Sequence, residues 1–306
     1  MKKYWLQLAM GVIILAFVIK LSVDFEKLSK IEFRWVYFVL SIIAYSILNL
    51  LLALRLKILL NGINVKISLT DVFKAHISGM LAGDITPGRS GYILTAKFVD
   101  EMAKCGIEKP MVAVIAPQGV EFLLKGIGAF LAVLYLLKIV DSYIAIAILL
   151  LITLGVVISL LLFTSEKLSI RVFESLPLLK GRISLLNVKS QSKSILRFLP
   201  HILILYFLGW LSVGLQWYFI SEALMLNLSY LQTFLLHPLI TALSFVPITP
   251  AGMGIMEGGG IVMFKALGID KTRAFSFTIL ARLSNMIGDL PGLLFLRYLK
   301  STSKPS

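Results

Sequence analysis

Pro247-Ile248-Thr249-Pro250-Ala251-Gly252-Met253-Gly254-Ile255-Met256-Glu257-Gly258-Gly259-Gly260 decides how this chain folds. The stretch separates two apolar segments, 231–246 and 261–267. Each is shorter than the roughly 20 apolar residues a helix needs to cross a bilayer. Two prolines and five glycines in fourteen positions stop a helix rather than continue it. Backbone left unpaired in hydrocarbon costs several kcal/mol per group, so such a break is stable only when buried in protein or facing a water-filled cavity. A broken helix pair inside a membrane protein is therefore a candidate substrate site.

The rest of the composition fits that setting. The 306 residues are 58% hydrophobic, and the mean hydropathy is +0.92, values of the polytopic membrane class. The formal net charge is +14, from 30 basic and 16 acidic residues. In a membrane chain, basic excess speaks first of orientation and of contact with anionic headgroups. No basic soluble module or base-stacking motif is present, so nucleic acid is not an expected partner. A single cysteine, Cys105, rules out an internal disulfide and a multi-cysteine metal site. His76, His201 and His237 have no metal-ligand spacing and read as packing or hydrogen-bonding residues. Neither a metal nor another cofactor is expected. Met1-Lys2-Lys3 before an apolar run imitates a signal peptide, but Asp24-Phe-Glu-Lys follows instead of a small-residue cleavage site, so it reads as an uncleaved first span.

The expected fold is all-α and polytopic. Full spans are predicted at 4–23, 35–54, 111–137, 142–163, 200–221 and 274–296. Two further apolar regions, 69–104 and 230–268, are interrupted in the middle and read as re-entrant broken hairpins. In the first, Gly83-Asp84-Ile-Thr-Pro87-Gly88-Arg89-Ser-Gly91 forms the break. Charge decides the count. The segment 164–198 carries Lys167, Arg171, Lys180, Arg182, Lys189, Lys193 and Arg197 against Glu166 and Glu174, and so belongs in the cytoplasm. Six spans and two non-crossing hairpins place it there, together with Lys2, Lys3, Arg55, Lys57, Arg297, Lys300, Lys304 and both termini. Eight crossings would put it outside. The basic segment itself reads as amphipathic surface helices on anionic lipid.

An internal repeat supports this count. Ile85-Thr-Pro87 recurs as Ile248-Thr-Pro250, and Gly106-Ile-Glu-Lys109 as Gly268-Ile-Asp-Lys271. The chain divides into a first repeat, 1–137, and a second, 142–306, each ordered span, span, hairpin, span. An odd number of crossings per half makes the second copy inverted, which is a transporter design. Chance likeness between apolar segments is the competing explanation, and the preserved order of two motifs counts against it.

The span after each hairpin is polar on one face. Gln118, Glu121 and Lys125 are spaced i, i+3, i+7, as are Arg282, Asn285 and Asp289. At 1.5 Å per residue, Glu121 and Arg282 lie roughly 15 Å along their helices, near the bilayer centre. A charge there costs about 2.5–3.5 kcal/mol on insertion scales and should face protein or water. Two roles compete evenly for these residues, an internal ion-pair network and direct contact with a charged headgroup. Asp84 and Arg89 lie in the first break, where Arg89 and a following half-helix suit a phosphate oxygen, with an Arg89–Asp84 salt bridge as the plainer role. Glu257 opens the half-helix after the second break, where a carboxylate caps free N–H groups. Pro87, Gly88, Gly91, Pro247, Pro250, Gly252 and Gly254 read as backbone-shaping residues.

At these residues the chain resembles the membrane domain of the lysylphosphatidylglycerol synthase/flippase family, including uncharacterised prokaryotic relatives. Pro247 to Gly258, Ala281-Arg282-Leu283 with Pro291-Gly292, and Pro87-Gly88-Arg89-Ser-Gly91 carry the resemblance, which covers essentially the whole chain. Departures fall at Tyr92, where the family commonly has Glu, and at Phe122 and Lys125, where it has Arg and an acid. The resemblance implies a multi-pass protein of a prokaryotic cell membrane that moves lipid between leaflets. Aminoacyl-lipid synthesis in the family belongs to a large soluble domain, and with the chain ending at Ser306 that activity is not expected here.

No nucleophile elbow, phosphate-binding loop or metal cluster points to catalysis. The function expected is a translocator of an anionic phospholipid or lipid-linked intermediate. Arg89, Arg282 and Lys125 would meet the headgroup, while Glu121, Asp84 and Asp289 balance those charges. The alternative is a membrane subunit of a lipid- or polyprenyl-modifying system, with a separate cytoplasmic transferase docked at 164–198. Self-association into a homo-oligomer is left open by the sequence.

Overall fold

The computed structural model describes residues 2–86, 89–136, 196–241, 243 and 249–295. The expected span at 142–163, almost all of the basic segment, Pro87, Gly88 and Pro247, and the basic residues from Arg297 onward lie outside the described residues. Among the described residues every regular element is helical. Helix α1 is Lys2–Ser22, α2 Phe25–Ser29, α3 Trp35–Gly62, α4 Leu69–Asp84, α5 Leu94–Ala103 and α6 Glu108–Leu136. After the undescribed stretch come α7 Leu199–Ala223, α8 Tyr230–Thr241, α9 Ile255–Ala266 and α10 Lys271–Asp289.

Local chemistry sets several of these limits. Asp24, Ser68 and Asp270 cap α2, α4 and α10, each side chain accepting backbone N–H groups of the first turn. Pro200 sits in the first turn of α7, where a missing N–H costs nothing. The region 69–104 is interrupted between α4 and α5, and 230–268 between α8 and α9, at the two Ile-Thr-Pro motifs.

Two sequence expectations are corrected. The span expected to end at residue 54 runs on to Gly62, because Leu56, Leu59 and Leu60 beyond it are buried against α4–α6. Arg55 is consequently inside the protein, 3% exposed, and is not a flanking charge. The last span does not run unbroken from 274 to 296. Helix α10 ends at Asp289, a turn follows at Leu290, and a second helical stretch starts at Pro291, which has no N–H to extend the ladder. Of the six expected spans, two among the described residues, α3 and α7, are both long and apolar enough to cross a membrane. The polar faces of α6 and α10 lower their hydropathy, and α1 contributes a shorter apolar stretch, Leu6–Ser22.

Two apolar cores hold the helices. One joins α3, α4, α5 and the start of α6 around Leu59, Val72, Val99 and Met111. The other joins the end of α6 with α7–α10 around Trp217, Ile220, Phe264 and Phe277. Helices α3 and α7 run against each other, with the Ser212 hydroxyl donating to the Ala44 carbonyl at 2.8 Å. Gly128 lets α6 approach α7, since a Cβ there would lie 2.2 Å from the Trp210 ring.

The termini of these helices meet in two groups. The Arg34 N–H donates to the Ala223 carbonyl at 3.0 Å, joining the start of α3 to the end of α7, and the Asp24 N–H donates to Thr272 Oγ1 at 3.0 Å, joining the end of α1 to the start of α10. Elsewhere the Arg197 guanidinium donates to the Gly62 carbonyl, joining the end of α3 to the start of α7. The outer surface is more apolar than that of a water-soluble bundle. Val36, Val39, Ile43, Ile47 and Leu50 form an exposed apolar stripe on α3, as do Ile204, Phe207, Leu208 and Leu215 on α7. Arg55, Glu257 and Asp289 are buried.

Candidate functional site

The two interruptions touch. The Ala251 N–H, in the second, donates to the Thr86 carbonyl, in the first, at 3.1 Å. Thr86 also holds its own loop, since its hydroxyl donates to the Ala82 carbonyl at 2.9 Å and accepts the Gly91 N–H at 2.7 Å. A Cβ on Gly91 would lie 2.2 Å from the Ala82 oxygen, so this loop closes only with glycine there. Gly254 has a φ of +80°, and a Cβ there would collide with Ile14 of α1.

Beside this junction is a cavity of about 500 Å3, within the range of small-molecule sites, ~300–1,000 Å3. It is lined from α3, α4, both interruptions, α6, α7, α8 and α10. Of the residues singled out from sequence, Asp84, Arg89, Gln118, Glu121, Lys125, Arg282 and Asn285 all line it. Glu257, 1% exposed, and Asp289, fully buried, stand directly behind lining residues.

The charges form three groups. In the first break the Arg89 guanidinium donates to Asp84 Oδ1 at 2.5 Å. On α6, Lys125 Nζ lies 2.9 Å from Glu121 Oε1, and Arg55 Nη1 of α3 lies 3.6 Å from Glu121 Oε2. On α10, Arg282 donates through Nε and Nη2 to Glu257 Oε1, both at 2.8 Å. The other Glu257 oxygen accepts the Gly254 N–H at 2.6 Å, so this carboxylate caps α9 and anchors Arg282 together. Arg282 is thus paired within the second half and not with Glu121.

Sequence reasoning missed a polar relay that runs from Asp289 to Tyr92. Asp289 accepts the Tyr45 hydroxyl at 2.8 Å and the Asn49 amide at 2.8 Å. The Asn49 oxygen faces His76 Nε2 at 3.3 Å, and His76 Nδ1 faces the Tyr92 hydroxyl at 3.1 Å. An amide oxygen only accepts, so with Asn49 placed this way the histidine proton sits on Nε2 and Tyr92 donates to Nδ1. A signal for α3 was present: Ser41, Tyr45 and Asn49 recur every fourth residue, one polar line on an apolar helix.

Several buried polar atoms at the cavity have no hydrogen-bond partner among the described residues: Arg55 Nη1, which has only its 3.6 Å ion pair with Glu121, Asp84 Oδ2, Gln216 Oε1 and His237 Nδ1. Such orphans are rare and call for a ligand, an ion or ordered water. Gln216 is held in place by its other end, its amide donating to Asn285 at 2.6 Å and to Ser284 at 3.1 Å. The His237 ring is edge-on to Trp217, with centroids 5.1 Å apart.

A helical chain with apolar outer faces and buried charges around an interior cavity fits a membrane protein. Comparison with known sequences agrees at the level of family. Residues 4–290 match the lysylphosphatidylglycerol synthase TM region, and the chain belongs to that family. It is similar to UPF0104 membrane protein PH1989 of Pyrococcus horikoshii, 26% identical over 280 residues, 81% of this chain and 82% of that protein. It is also similar to UPF0104 membrane protein MJ1078 of Methanocaldococcus jannaschii, 37% identical over 100 residues, 32% of this chain and 43% of that protein, so this match spans under half of the relative. No solved structure matches significantly.

Proposed function

We propose that this protein moves a lipid with an anionic headgroup between the leaflets of the membrane, without making or breaking a covalent bond in it. The observation that carries the reading is the cavity at the touching interruptions, lined by ion pairs and by buried polar atoms that no described residue hydrogen-bonds. Arg55, Arg89, Lys125 and Arg282 are balanced there by Asp84, Glu121, Glu257 and Asp289. A phosphate entering the cavity takes the place of a carboxylate beside a guanidinium, with charge-assisted bonds on both sides of the exchange. Headgroup hydroxyl or amine hydrogens then reach Gln216 Oε1 and Asp84 Oδ2. Acyl chains stay in the bilayer.

The architecture invoked is an inverted repeat, with the α4/α5 and α8/α9 pairs entering from opposite leaflets. The antiparallel run of α3 and α7, the corresponding spans of the two halves, supports it: residues 34 and 223 meet at one end of the pair and residues 62 and 197 at the other. In this reading the breaks join near the bilayer midplane, and Cys105, between α5 and α6, faces the cytoplasm with both termini.

The test is reconstitution of the full chain into liposomes of phosphatidylethanolamine and phosphatidylglycerol, with fluorescent phosphatidylglycerol as reporter and membrane-impermeant bleaching as readout. The wild type exposes inner-leaflet reporter, and Arg89→Ala and Arg282→Ala slow this at least tenfold. Wild-type rates in both variants would remove these residues from the path. No movement with wild type, together with co-purification of a soluble transferase, would favour the enzyme-subunit reading.

A further inference from the structure

One face of α7 lines the cavity with Tyr206, Gly209, Trp210, Val213, Gln216 and Trp217, and α8 adds His237. Gln216 is fully buried. Its amide nitrogen is used twice, on Asn285 and on Ser284, and with the amide placed this way Oε1 has no donor among the described residues. An amide oxygen only accepts, so the group it calls for carries a hydrogen. An ionised phosphate has none to give. His237 Nδ1 is the second neutral atom left over. It accepts or donates according to its tautomer, and a hydroxyl answers either. An ammonium also carries hydrogens, but it meets the wrong charges. Arg55, Arg89, Lys125 and Arg282 line the cavity, and the lining carboxylates Asp84 and Glu121 each already face a cation. Spacing fits as well. Gln216 bonds Asn285, which follows Arg282 by three residues on α10. Residues so spaced have Cβ atoms about 5–6 Å apart, which matches the step from a phosphate to a hydroxyl on the second or third carbon of its alcohol.

We propose that Gln216 and His237 form a subsite for the neutral, hydroxyl-bearing part of an anionic headgroup, and that they select glycerol or sugar phosphates over headgroups ending in an ammonium. The subsite deepens the translocator reading and rests on it for taking the ligand to be a lipid. A phosphate beside Arg282 places its alcohol against α7. One hydroxyl donates to Gln216 Oε1, and the same hydroxyl or its neighbour pairs with His237 Nδ1. The carbon skeleton lies along the aromatic wall of Tyr206, Trp210 and Trp217. Both selecting side chains are held in advance, Gln216 by Asn285 and Ser284, and His237 by its edge-on contact with Trp217. An alcohol without hydroxyls leaves the two buried atoms unsatisfied, which is the origin of the selection.

The experiment compares two lipids of equal charge that differ in their hydroxyls alone, phosphatidylglycerol and phosphatidylpropanol, with phosphatidylethanolamine as the ammonium-bearing third. Binding to the full chain in detergent is read by native mass spectrometry, and movement in liposomes by impermeant bleaching of labelled forms. Wild type should bind phosphatidylglycerol at least tenfold more tightly than either of the others, about tenfold being the effect of one hydrogen bond to a buried group. In Gln216→Met and in His237→Phe, each checked for folding by its thermal melt, the preference over phosphatidylpropanol should fall below about threefold. His237→Phe keeps a ring against Trp217, so the test stands even where Gln216→Met fails to fold. Equal wild-type affinity for phosphatidylglycerol and phosphatidylpropanol overturns the subsite. So does a preference for phosphatidylethanolamine, or a folded variant that keeps the full preference. Displacement of phosphatidylglycerol by free glycerol phosphate at equal concentration overturns the lipid assignment and gives the site to a soluble phosphate ester. The expected preference in binding, with no movement of any lipid, refutes the translocator reading and leaves the subsite standing.

Discussion

Removing the Glu257 carboxylate has two separable consequences. In Glu257→Ala, Arg282 loses both 2.8 Å contacts, and the Gly254 N–H at the start of α9 loses its 2.6 Å acceptor. Breaking a buried ion pair by deleting one partner costs about 3–5 kcal/mol, and Arg282, with 20% of its side chain exposed to the cavity, places the cost at the lower end. Loss of an N-terminal cap adds about 1 kcal/mol. The total of about 4 kcal/mol corresponds to a fall in Tm of roughly 8–16 °C at 2–4 °C per kcal/mol. Glu257→Gln keeps an acceptor for Gly254 and loses only the charge, so its fall is smaller. In Glu257→Ala with Arg282→Ala no orphaned charge remains, and the double variant is less destabilised than the sum of the singles. The assay is thermal unfolding in detergent followed by tryptophan fluorescence at a fixed heating rate. A Glu257→Ala protein melting within about 2 °C of wild type, or singles that add without coupling, would refute the account of this carboxylate.

Other outcomes follow from the same geometry. Thr86→Val removes a donor to Ala82 and an acceptor for Gly91, and should lower stability by about 1–3 kcal/mol in the same melt. Gly128→Ala drives a Cβ into Trp210 and should cost about 1–3 kcal/mol, while Gly106→Ala, with no atom within 4 Å but a φ of +83°, should cost less, about 1 kcal/mol. Arg55→Leu leaves Glu121 its closer lysine partner but removes a cavity cation whose Nη1 makes no hydrogen bond among the described residues, so folding should persist while reporter-lipid movement falls at least tenfold. Cys105 should react with an impermeant maleimide from the cytoplasmic face alone, and reaction from outside would refute the re-entrant arrangement. Burial, then the nearby Asp100, pushes this thiol above its usual range. The reactive thiolate is therefore scarce at neutral pH, and labelling should keep accelerating beyond the pH at which an exposed cysteine levels off.

Backbone interruptions were legible in the sequence because proline and glycine act locally. No tertiary information is needed to expect helix breaks at the two Ile-Thr-Pro motifs, but the second break was drawn too long: Gly258, Gly259 and Gly260, read as helix-stopping, lie inside α9. The polar faces of α6 and α10 were legible for a similar reason, since spacing alone puts Glu121 with Lys125 and Arg282 with Asn285. Pairing between elements was not. Whether Arg282 meets Glu121 or Glu257 depends on how two helices are rotated against each other, which periodicity does not encode. Arg55 was misread because a 20-residue span places the helix end at 54, although the apolar residues that follow it, Leu56, Leu59 and Leu60, continue the same buried face. The histidines gave least away. A lone His76 among apolar neighbours carries no sign of Asn49 or Tyr92, which reach it from another helix and from a loop.

The bond from Ala251 to Thr86 joins main chain to main chain. No exchange of side chain deletes it, because every residue type but proline brings the same amide and every residue the same carbonyl. The tie between the halves is thus insulated from whatever alters the surrounding charges. If the cavity takes a lipid headgroup as proposed, arginines and acids in its wall can be traded to suit a different one while the fastening holds, so cargo preference and this tie are free to vary apart.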